Sequence, residues 1–413
     1  MTPLSLPISH SLPAPMTTNL PHPASAALAA SATRFAALRQ RIHAHPELGA
    51  DVPRTAGMVA GLLREWGYDV HTGIGGHGIV AQLKVGDGAR RIGIRADMDA
   101  LPLQERTGLP YQSQVPGRMH ACGHDGHTAT LLAAAEYLAA TRRFHGTLNL
   151  IFQPDEEGMT GALAMMEDGL FERFPCDAIY AYHNAPGLPV GMAVVQPGPQ
   201  GGSSDRVTVT FRGKGGHGAM PHRAVDPTLA LAHAVVALQG IVSRNVSPVD
   251  AGVISVGQIE AGTTYNIIPE TATLKLSVRA TKPEVRALLE ARIREVITHQ
   301  AASCGVTAEI DYQHLVPAVC NTPAEAEIAH AAVASVLGAD KVIQVPPSTQ
   351  MGSEDFAWML ERVPGCYFVL GNGTGQWVGC SVHNDGYDFN DALIPLGAQC
   401  WVALAEGYLK REG

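Results

Sequence analysis

The sequence predicts an α/β protein with two domains: a discontinuous domain with a mixed sheet flanked by helices, and an inserted ferredoxin-like α+β domain. Helical and strand periods alternate up to about residue 197, change in rhythm over 198–314, and return to the first pattern after Pro317. The chain has 413 residues, which is enough for two or three domains of roughly 100 to 200 residues each. We therefore expect domains at 31–197 with 315–413 and at 198–314, after a disordered leader over 1–30.

The leader is predicted from its composition. Residues 1–33 contain no Lys, Arg, Asp or Glu and are interrupted by prolines from Pro3 onward. A secretory signal needs a basic start and an unbroken apolar stretch, and this segment has neither. The rest of the chain lacks the run of about 18 apolar residues that a membrane helix requires. We therefore expect no membrane partner.

The elements of the first domain follow from hydrophobic periodicity. Helical periods predict helices near 32–44, 54–66, 125–142 and 323–337. Short apolar runs predict strands near 78–84, 91–96, 148–153, 178–183 and 366–371. Strands as apolar as these are typical of a sheet that is buried on both faces.

The inserted domain shows the order β-α-β-β-α-β. Strand periods occupy 207–211, 252–259, 272–279 and 306–312. Helical periods lie between them, in a stripe at Leu231, Val235, Leu238 and Val242 and in a run near 283–301. A ferredoxin-like unit of this order packs both helices on one face of its sheet. The other face would need a cover, which predicts an interface.

Composition and charge exclude several classes of protein. Apolar residues make up 46% of the chain and charged residues 16%, which excludes disordered, collagenous and coiled-coil proteins. The formal net charge is −9 and no basic run is present, so nucleic acid is not an expected partner. The seven cysteines are scattered, which predicts reduced thiols and a cytoplasmic location rather than a disulfide framework.

A candidate metal-binding motif, HACGHDGHTA at 120–129, precedes the long Ala/Leu helix. Cys122 and His124 stand two residues apart in a glycine-containing turn, so a thiolate and an imidazole can converge on one cation. A buried cysteine beside a helix-capping histidine is the alternative. In FQPDEE at 152–157, one of Glu156 and Glu157 can bind a cation while the other stays free as a general base. Alone, this pair would indicate a solvated loop.

Further candidates follow apolar strands, where an open α/β sheet places its site. His183 ends the run at 178–183, and His383 lies in SVHNDGYDFND near the chain end. A hydrogen-bonded core histidine is the alternative for each. Asp97 and Asp99 follow the strand near 91–96. We favour Asp99 as a carboxylate that orients a metal-binding imidazole, with a turn-forming aspartate as the alternative.

The sequence does not support phosphate-binding or serine-hydrolase chemistry. GIGGHG at 73–78 matches G-x-G-x-x-G, but it leads into a strand and so offers no helix N-terminus to a pyrophosphate. We interpret it as a turn. The chain contains no G-x-x-x-x-G-K-[ST] loop and no G-x-S-x-G elbow.

Together, the motifs resemble the amidohydrolase branch of the M20 metallopeptidase superfamily, which includes hippurate hydrolases, N-acyl-amino-acid amidohydrolases and plant auxin-conjugate hydrolases. Eight segments run in the family's order: HAHPELG at 43–49, IRADMDALP at 94–102, MHACGHDGHTA at 119–129, FQPDEEG at 152–158, GKGGHGAMPH at 213–222, NIIP at 266–269, MGSEDF at 351–356 and VHNDGYDFND at 382–391. The chain departs from the family at Asp155, where alanine is common, and in GMTG, where the family has a longer glycine run.

The resemblance implies a hydrolase with two divalent metal ions per subunit, of which Mn²⁺, Zn²⁺, Co²⁺ and Ni²⁺ all remain candidates. The implied ligands are Cys122, His124, Glu157, His183 and His383. Glu156 would be the general base, with Asp99 in support. The inserted domain would be a lid and dimerisation domain, through which the protein forms a homodimer.

Three residues of the inserted domain match family positions that contact substrate. His217 would reach into the partner's active site and help hold the oxyanion, whereas a polar loop histidine is the alternative. Asn266 and Arg279 would bind the substrate's carboxylate, although a solvated arginine is a fair alternative for Arg279. Because the net charge is −9, an anionic substrate would have to be captured locally.

The resemblance implies hydrolysis of the amide bond of N-acyl amino acids, such as hippurate, to a carboxylic acid and a free amino acid. A metallo-dipeptidase or aminopeptidase on the same scaffold is the nearest alternative, and it would need an acidic group for the substrate's free amine. A non-catalytic metal-binding protein is a third possibility.

Overall fold

The computed structural model describes residues 23–345 and 351–411. The helices are α1 (Ser25–His43), α2 (Pro53–Glu65), α3 (His124–Thr141), α4 (Gly161–Glu167), α5 (Leu170–Arg173), α6 (Pro227–Asn245), α7 (Pro283–Ser303), α8 (Pro323–Leu337), α9 (Phe356–Leu360) and α10 (Leu393–Tyr408). The strands are β1 (Asp69–Ile74), β2 (Gly78–Val85), β3 (Arg91–Asp97), β4 (Gly146–Gln153), β5 (Ala178–Pro186), β6 (Ala193–Val194), β7 (Gly198–Pro199), β8 (Ser204–Arg212), β9 (Gly216–His217), β10 (Gly252–Ala261), β11 (Ile267–Ile268), β12 (Thr271–Ala280), β13 (Thr307–Val316), β14 (Cys320–Asn321), β15 (Val342–Ile343) and β16 (Gly365–Gly373).

The larger sheet has the strand order β1-β2-β4-β3-β5-β16-β6-β15. Its four central strands, β4, β3, β5 and β16, are mutually parallel. The flanking pairs β1 with β2, β2 with β4, and β16 with β6 are antiparallel. The predicted α/β fold with a mixed sheet is therefore confirmed. Because the central strands are parallel, their carboxyl ends meet at one edge of the sheet.

Helices cover both faces of this sheet because its strands are apolar on both sides. One core packs α1, α2, α3, α8 and α10 against alternate strand residues such as Ile94 and Leu150. The core of the other face packs α4, α5 and α9 against the intervening residues such as Ile151 and Ile179. A sheet enclosed in this way holds the carboxyl ends of its strands in fixed positions.

The first helix begins earlier than predicted, at Ser25 rather than near residue 32. The boundary of the leader at residue 30 was therefore wrong, while residues 1–22 lie outside the described ranges. Leu28, Phe35 and Ile42 recur every seven residues and are buried together, as expected for one helix face. Of residues 25–33, which form the first turns of this helix, Leu28 is buried and the others are exposed or half-buried.

The structure also has elements that the sequence patterns did not identify. Helix α10 is apolar on almost every side and packs on α3, α8 and α1, so it shows no amphipathic period. Strand β1 forms a hairpin with β2 around Gly75 and Gly76. The interpretation of GIGGHG as a turn is confirmed. Within the described ranges, no helix is both long and apolar enough to cross a membrane.

The second sheet has the order β10-β12-β8-β13, with every pair antiparallel. Helices α6 and α7 pack on one of its faces and share a core with residues such as Phe211, Leu274 and Ile293. This is the predicted β-α-β-β-α-β arrangement. The opposite face carries polar residues, among them Arg279, and β10 lies at an edge of the sheet.

Candidate metal centre

The candidate site lies at the carboxyl ends of the parallel strands of the large sheet. Asp97 ends β3, and Glu156 and Glu157 follow the end of β4. The sequence predicted His183 at the end of a strand. It lies instead within β5, because this strand continues to pair with β16 up to Pro186. The candidate side chains of these strands therefore lie at one edge of the sheet, as the sequence predicted.

The turn that leads into α3 carries Cys122, and the helix begins at His124. Gly123 between them has a φ of 97°, a left-handed conformation that glycine adopts without steric cost. A Cβ atom on Gly123 would lie 2.1 Å from the Oδ1 atom of Asn184. The sharp turn that brings both side chains to the site therefore requires glycine at this position.

Ligand-type atoms of all five predicted metal-binding residues come together in one cluster. Three overlapping groups each hold such atoms within 4.8 Å of one another: Cys122, His124 and His183; Cys122, Glu157 and His383; and His124, Glu156 and Glu157. Cys122, His124 and Glu157 each belong to two of these groups. The five side chains, which come from distant parts of the chain, thus form one cluster.

His183 is oriented for metal binding by its own backbone neighbour. Its Nδ1 atom donates a hydrogen bond of 2.7 Å to the carbonyl oxygen of Asn184, so the lone pair of the neutral ring is on Nε2. That Nε2 atom lies 3.2 Å from the Sγ atom of Cys122. Burial, followed by repulsion from His127, lowers the pKa of His183 to about 3, which keeps the ring neutral as a ligand must be.

Asp99 ties His124 to the loop that carries the paired glutamates. Its Oδ1 atom lies 3.2 Å from Nδ1 of His124, and its carboxylate accepts hydrogen bonds from the backbone N–H groups of Glu156 and Glu157. Burial alone would lower the pKa of His124, but Asp97 and Asp99 outweigh it and raise the pKa to about 10. The predicted contact between Asp99 and an imidazole is present.

Glu157 and His383 form the more open side of the cluster. The Nε2 atom of His383 lies 3.2 Å from Oε1 of Glu157, and its backbone N–H donates to the carbonyl oxygen of Ala121. The contact with Glu157 raises the pKa of His383. Burial would raise the pKa of Glu157, but His383 and His124 outweigh it and the pKa falls below the ordinary value.

This donor set fits divalent cations. Thiol, imidazole and carboxylate groups together are ligands of zinc, cobalt, manganese and nickel. The Nε2 atom of His124 is buried and has no hydrogen-bond partner among the described residues, and it lies 3.8 Å from Oε2 of Glu156. A cation at this position would satisfy the nitrogen and offset the negative charge of the adjacent carboxylates.

Glu156 is buried among other carboxylates. Glu354 and Asp355 both offer oxygens within 4.8 Å of it. Burial, followed by repulsion from Glu354 and Glu157, raises the pKa of Glu156 well above its ordinary value. The buried guanidinium of Arg95, 2.9 Å from Glu354, offsets part of this charge. A raised pKa makes the carboxylate form of Glu156 a stronger proton acceptor, which suits a general base.

The cluster opens into a cavity of about 460 Å³ that Arg279 also lines. The guanidinium of Arg279 is half-buried and donates a hydrogen bond to the hydroxyl of Ser353. Among the described residues it has no carboxylate in ion-pair contact, and burial lowers its pKa. An arginine held in this way, without a counter-ion, is suited to bind an anionic group that enters the cavity.

His217 and Asn266, in contrast, do not line this cavity. They lie beside each other where β9 pairs with β11, with His217 opposite Ile267, and both are exposed. The Nδ1 atom of His217 accepts a hydrogen bond from the backbone of Ala219. The structure of the single chain thus brings Arg279 to the predicted site but not His217 or Asn266.

Several residues of the site were not identified from the sequence. The Nδ1 atom of His127 donates a hydrogen bond of 2.6 Å to Asp97, and its Nε2 atom lies 2.8 Å from the side-chain oxygen of Asn184. The ring packs on His183 with centroids 4.6 Å apart. Arg95 contacts Asp97 and Glu354. Helical spacing could have found His127, because it follows His124 by three residues and so shares its face. Glu354 lies in MGSEDF, one of the segments that resemble the family, but its contact with β3 exists only in the fold.

The fold and the site together define a metal-dependent hydrolase. The family model of peptidase family M20/M25/M40 matches residues 93–407. A hippurate hydrolase of Campylobacter jejuni is 43% identical over 91% of this chain and 97% of its own length. An N-acetylcysteine deacetylase of Bacillus subtilis is 35% identical over 90% of this chain and 96% of its own.

A solved structure agrees with these relatives. The YXEP protein of Bacillus subtilis, a dinuclear metal-binding peptidase of the M20 family, superimposes with a TM-score of 0.81 at 32% identity, over 92% of this chain and 99% of its own. The chain belongs to peptidase family M20/M25/M40. It is a metal-dependent amidohydrolase that uses divalent metal ions.

Proposed function

We propose that the protein hydrolyses the amide bond of N-acyl amino acids, releasing a carboxylic acid and a free amino acid. The observation that carries the proposal is Arg279, a half-buried cation without a carboxylate partner in the same cavity as the ligand cluster. An N-acyl amino acid has an amide and, one carbon beyond its nitrogen, a free carboxylate. The cavity offers a group for each.

The names of the relatives support this substrate class. They include hippurate hydrolase, N-acetylcysteine deacetylase and IAA-amino acid hydrolase, and each of these substrates is an acyl group joined to an amino acid. The acyl groups differ widely among them. The shared part is the amino acid with its carboxylate, which is the part that we assign to Arg279.

In this proposal Cys122, His124, Glu157, His183 and His383 hold two divalent cations, and Asp99 fixes the ring of His124. Bound cations of this kind lower the pKa of a water molecule and polarise the amide carbonyl. Glu156 accepts the proton of the attacking water at its carboxylate oxygen and passes it to the leaving nitrogen, so that the amine departs neutral. Ligand chemistry does not select among manganese, zinc, cobalt and nickel.

We also propose that the active unit is a homodimer formed through the second sheet and its helices, which act as a lid. Of the exposed large apolar side chains in the described ranges, all but Ile328 lie between Met220 and Ile267. On α6 the side chain of Val236 is 74% exposed, and on the edge strand β10 that of Ile259 is 54% exposed. An apolar helix face beside an unpaired strand edge is suited to a second copy of the chain.

A dimer would also account for the position of His217. Its side chain is exposed and outside the cavity of its own chain, so in the proposal it serves the cavity of the partner and donates a hydrogen bond to the oxyanion.

All seven cysteines are free, which supports the proposal of a reducing, cytoplasmic location.

The test is a hydrolysis screen with metal-stripped protein that is resupplied with one cation at a time. We expect N-acyl amino acids to be hydrolysed and the matching dipeptides, which carry a free amine, to be poor substrates. Glu156→Gln should lower kcat by about 10²- to 10⁴-fold while bound metal, measured by elemental analysis, stays the same. Glu167→Gln, which changes an exposed glutamate on α4, is the matched control. Turnover by Glu156→Gln at the wild-type rate would refute the role of Glu156.

A further inference from the structure

The guanidinium of Arg279 is hydrogen-bonded to the hydroxyl of Ser353. The Nη1 atom of Arg279 donates to the Oγ atom of Ser353, and that Oγ atom donates a hydrogen bond of 3.0 Å to the carbonyl oxygen of Gly202. A serine hydroxyl has one proton and two lone pairs. Because its proton is directed to Gly202, the hydroxyl presents lone pairs to Arg279 and acts there only as an acceptor.

Ser353 is itself fixed against the segment around Gly202. The N–H of Gly202 donates to the carbonyl oxygen of Gly352 over 2.9 Å, so both backbone polar groups of Gly202 bond to residues 352–353. The two segments approach closely, since a Cβ atom on Gly201 would lie 2.9 Å from the same carbonyl oxygen of Gly352. The position of the Ser353 hydroxyl is therefore set by backbone contacts on both sides.

The same segment also holds the backbone beside Arg279. The N–H of Ser203, a buried residue, donates over 2.7 Å to the carbonyl oxygen of Ala280. The N–H of Ala280 donates over 3.1 Å to the hydroxyl of Ser203. The hydrogen bonds thus form a closed ring that begins at the guanidinium of Arg279, passes through Ser353 and residues 202–203, and ends at the backbone next to Arg279.

The residue after Ser353 connects this ring to Glu156. Glu354 accepts a hydrogen bond of 2.9 Å from the buried Arg95 and offers an oxygen within 4.8 Å of an oxygen of Glu156. Both glutamates line the cavity. One peptide bond therefore joins the residue that holds Arg279 to a carboxylate that adjoins Glu156. Ser353 is placed to set where the guanidinium lies relative to Glu156.

We propose that Ser353 is a positioning residue for Arg279, whose hydroxyl orients the guanidinium so that its other N–H groups receive the carboxylate of the substrate. The inference rests on the proposed function, in which Arg279 binds this carboxylate, and it adds the residue that prepares the arginine for binding. A guanidinium has five N–H donors in a planar fork, so one bond to Ser353 leaves a pair for a carboxylate. Holding the fork in place reduces the side-chain freedom that is lost on binding.

Two ligands that differ only in the carboxylate test the inference. Benzoyl-glycine carries the carboxylate, and benzoyl-glycinamide has a neutral amide in its place. Calorimetry with the metal-loaded Glu156→Gln protein measures both affinities without hydrolysis. Adding Ser353→Ala should weaken the binding of benzoyl-glycine about tenfold, as expected for a lost hydrogen bond to a charged group, and that of benzoyl-glycinamide less than about twofold. Ser353→Thr, which retains a hydroxyl, should stay within about threefold of the wild-type serine for both ligands.

A double-mutant cycle separates positioning from a general effect on the cavity. In the enzyme that retains Glu156, Ser353→Ala should lower kcat/KM for benzoyl-glycine about tenfold and mainly through KM, because Arg279 contacts the carboxylate before and during the reaction. Combined with Arg279→Ala, it should cause less than about twofold further loss, because it acts through the arginine. Ser335→Ala is the matched control. It removes an exposed serine of α8 whose hydroxyl also donates to a backbone carbonyl, and it should leave kcat/KM unchanged.

Equal losses for the two ligands in Ser353→Ala, or a full tenfold further loss in the Arg279→Ala background, overturn the inference, because Ser353 would then support the cavity as a whole. A wild-type protein that binds and hydrolyses benzoyl-glycine no better than benzoyl-glycinamide overturns the proposed function, and the role of Ser353 fails with it. The two failures are distinguishable, since the wild type alone decides the second and the variants decide the first.

Discussion

At the scale of single residues, Asp97 and Asp99 are two buried aspartates, close in sequence, whose pKa values shift in opposite directions. Asp97 contacts His127 at 2.6 Å and Arg95 at 2.7 Å. Burial would raise its pKa, but His124, His127 and Arg95 outweigh burial and lower it well below the ordinary value. Asp99 has no arginine partner, and burial raises its pKa. The sequence supported Asp99 as the partner of an imidazole but gave no sign of the pair formed by Asp97 and His127.

A second buried network lies behind the ligand cluster. The Nδ1 atom of His43 lies 2.8 Å from Asp125 and its Nε2 atom lies 3.3 Å from Glu105. Both ring nitrogens thus face carboxylates, while Arg39 lies 3.4 Å from Nδ1 and His120 packs nearby. Burial alone would lower the pKa of His43, but Asp125 and Glu105 outweigh it and raise the pKa to about 9. The folded protein therefore binds a proton here that the unfolded chain releases near pH 6.5.

This network predicts a pH dependence of stability. Protonation of His43 stabilises the fold fully below pH 6.5, and its contribution, about 3 kcal/mol at most, is lost as the pH rises from 6.5 through 9. His43→Gln should be less stable than the wild type at pH 6, and the difference should shrink toward pH 9. Urea unfolding of chelator-treated protein at several pH values measures this. A difference that stays constant between pH 6 and pH 9 would contradict the assignment.

At the scale of elements, α3 must pack closely against the C-terminal segment for its first turn to reach the site. A Cβ atom on Gly126 would lie 2.3 Å from the ring of Phe389, and one on Gly397 of α10 would lie 2.7 Å from Thr130 of α3. Helical and strand periods predicted four helices and five strands of this domain, including α3. The approach of α10 could not be predicted, because a helix buried on almost all sides has no period and its partner is far away in sequence.

This close packing predicts the effect of Gly126→Ala. The added methyl group would push α3 and Phe389 apart, so we expect a loss of about 1 to 3 kcal/mol in the free energy of unfolding and weaker metal binding, because His124 is on the same turn. Gly61→Ala is the control: it is a helical glycine of α2 with no atom within 4 Å of the added Cβ, and it should stabilise the protein by roughly 0.5 to 1 kcal/mol. Urea titrations and metal analysis would measure both. Equal stability of the two variants would contradict this account of the packing.

At the scale of the whole molecule, the site combines segments that are separated by more than 200 residues, from Cys122 to His383. The sequence placed several of these segments at strand ends, and the resemblance to the family supplied the roles. The structure of one chain divides the three residues that were predicted to contact substrate. Arg279 lines the cavity, whereas His217 and Asn266 do not. A motif reads the same in the sequence whether its residue acts in the site of its own chain or in that of a partner, so motifs alone do not distinguish the two cases.

The proposed exchange of His217 between subunits predicts recovery of activity on mixing. Glu156→Gln and His217→Ala should each be nearly inactive as homodimers. Co-expression of the two chains should yield heterodimers in half of the population, each with one site that has both Glu156 and a partner's intact His217. Activity should therefore return to about a quarter of the wild-type value. Val236→Glu in both chains, which places a charge on the exposed face of α6, should abolish this recovery. Heterodimers that are present by mass spectrometry but inactive would show that His217 serves its own chain, and an active His217→Ala homodimer would show that His217 has no part in the reaction.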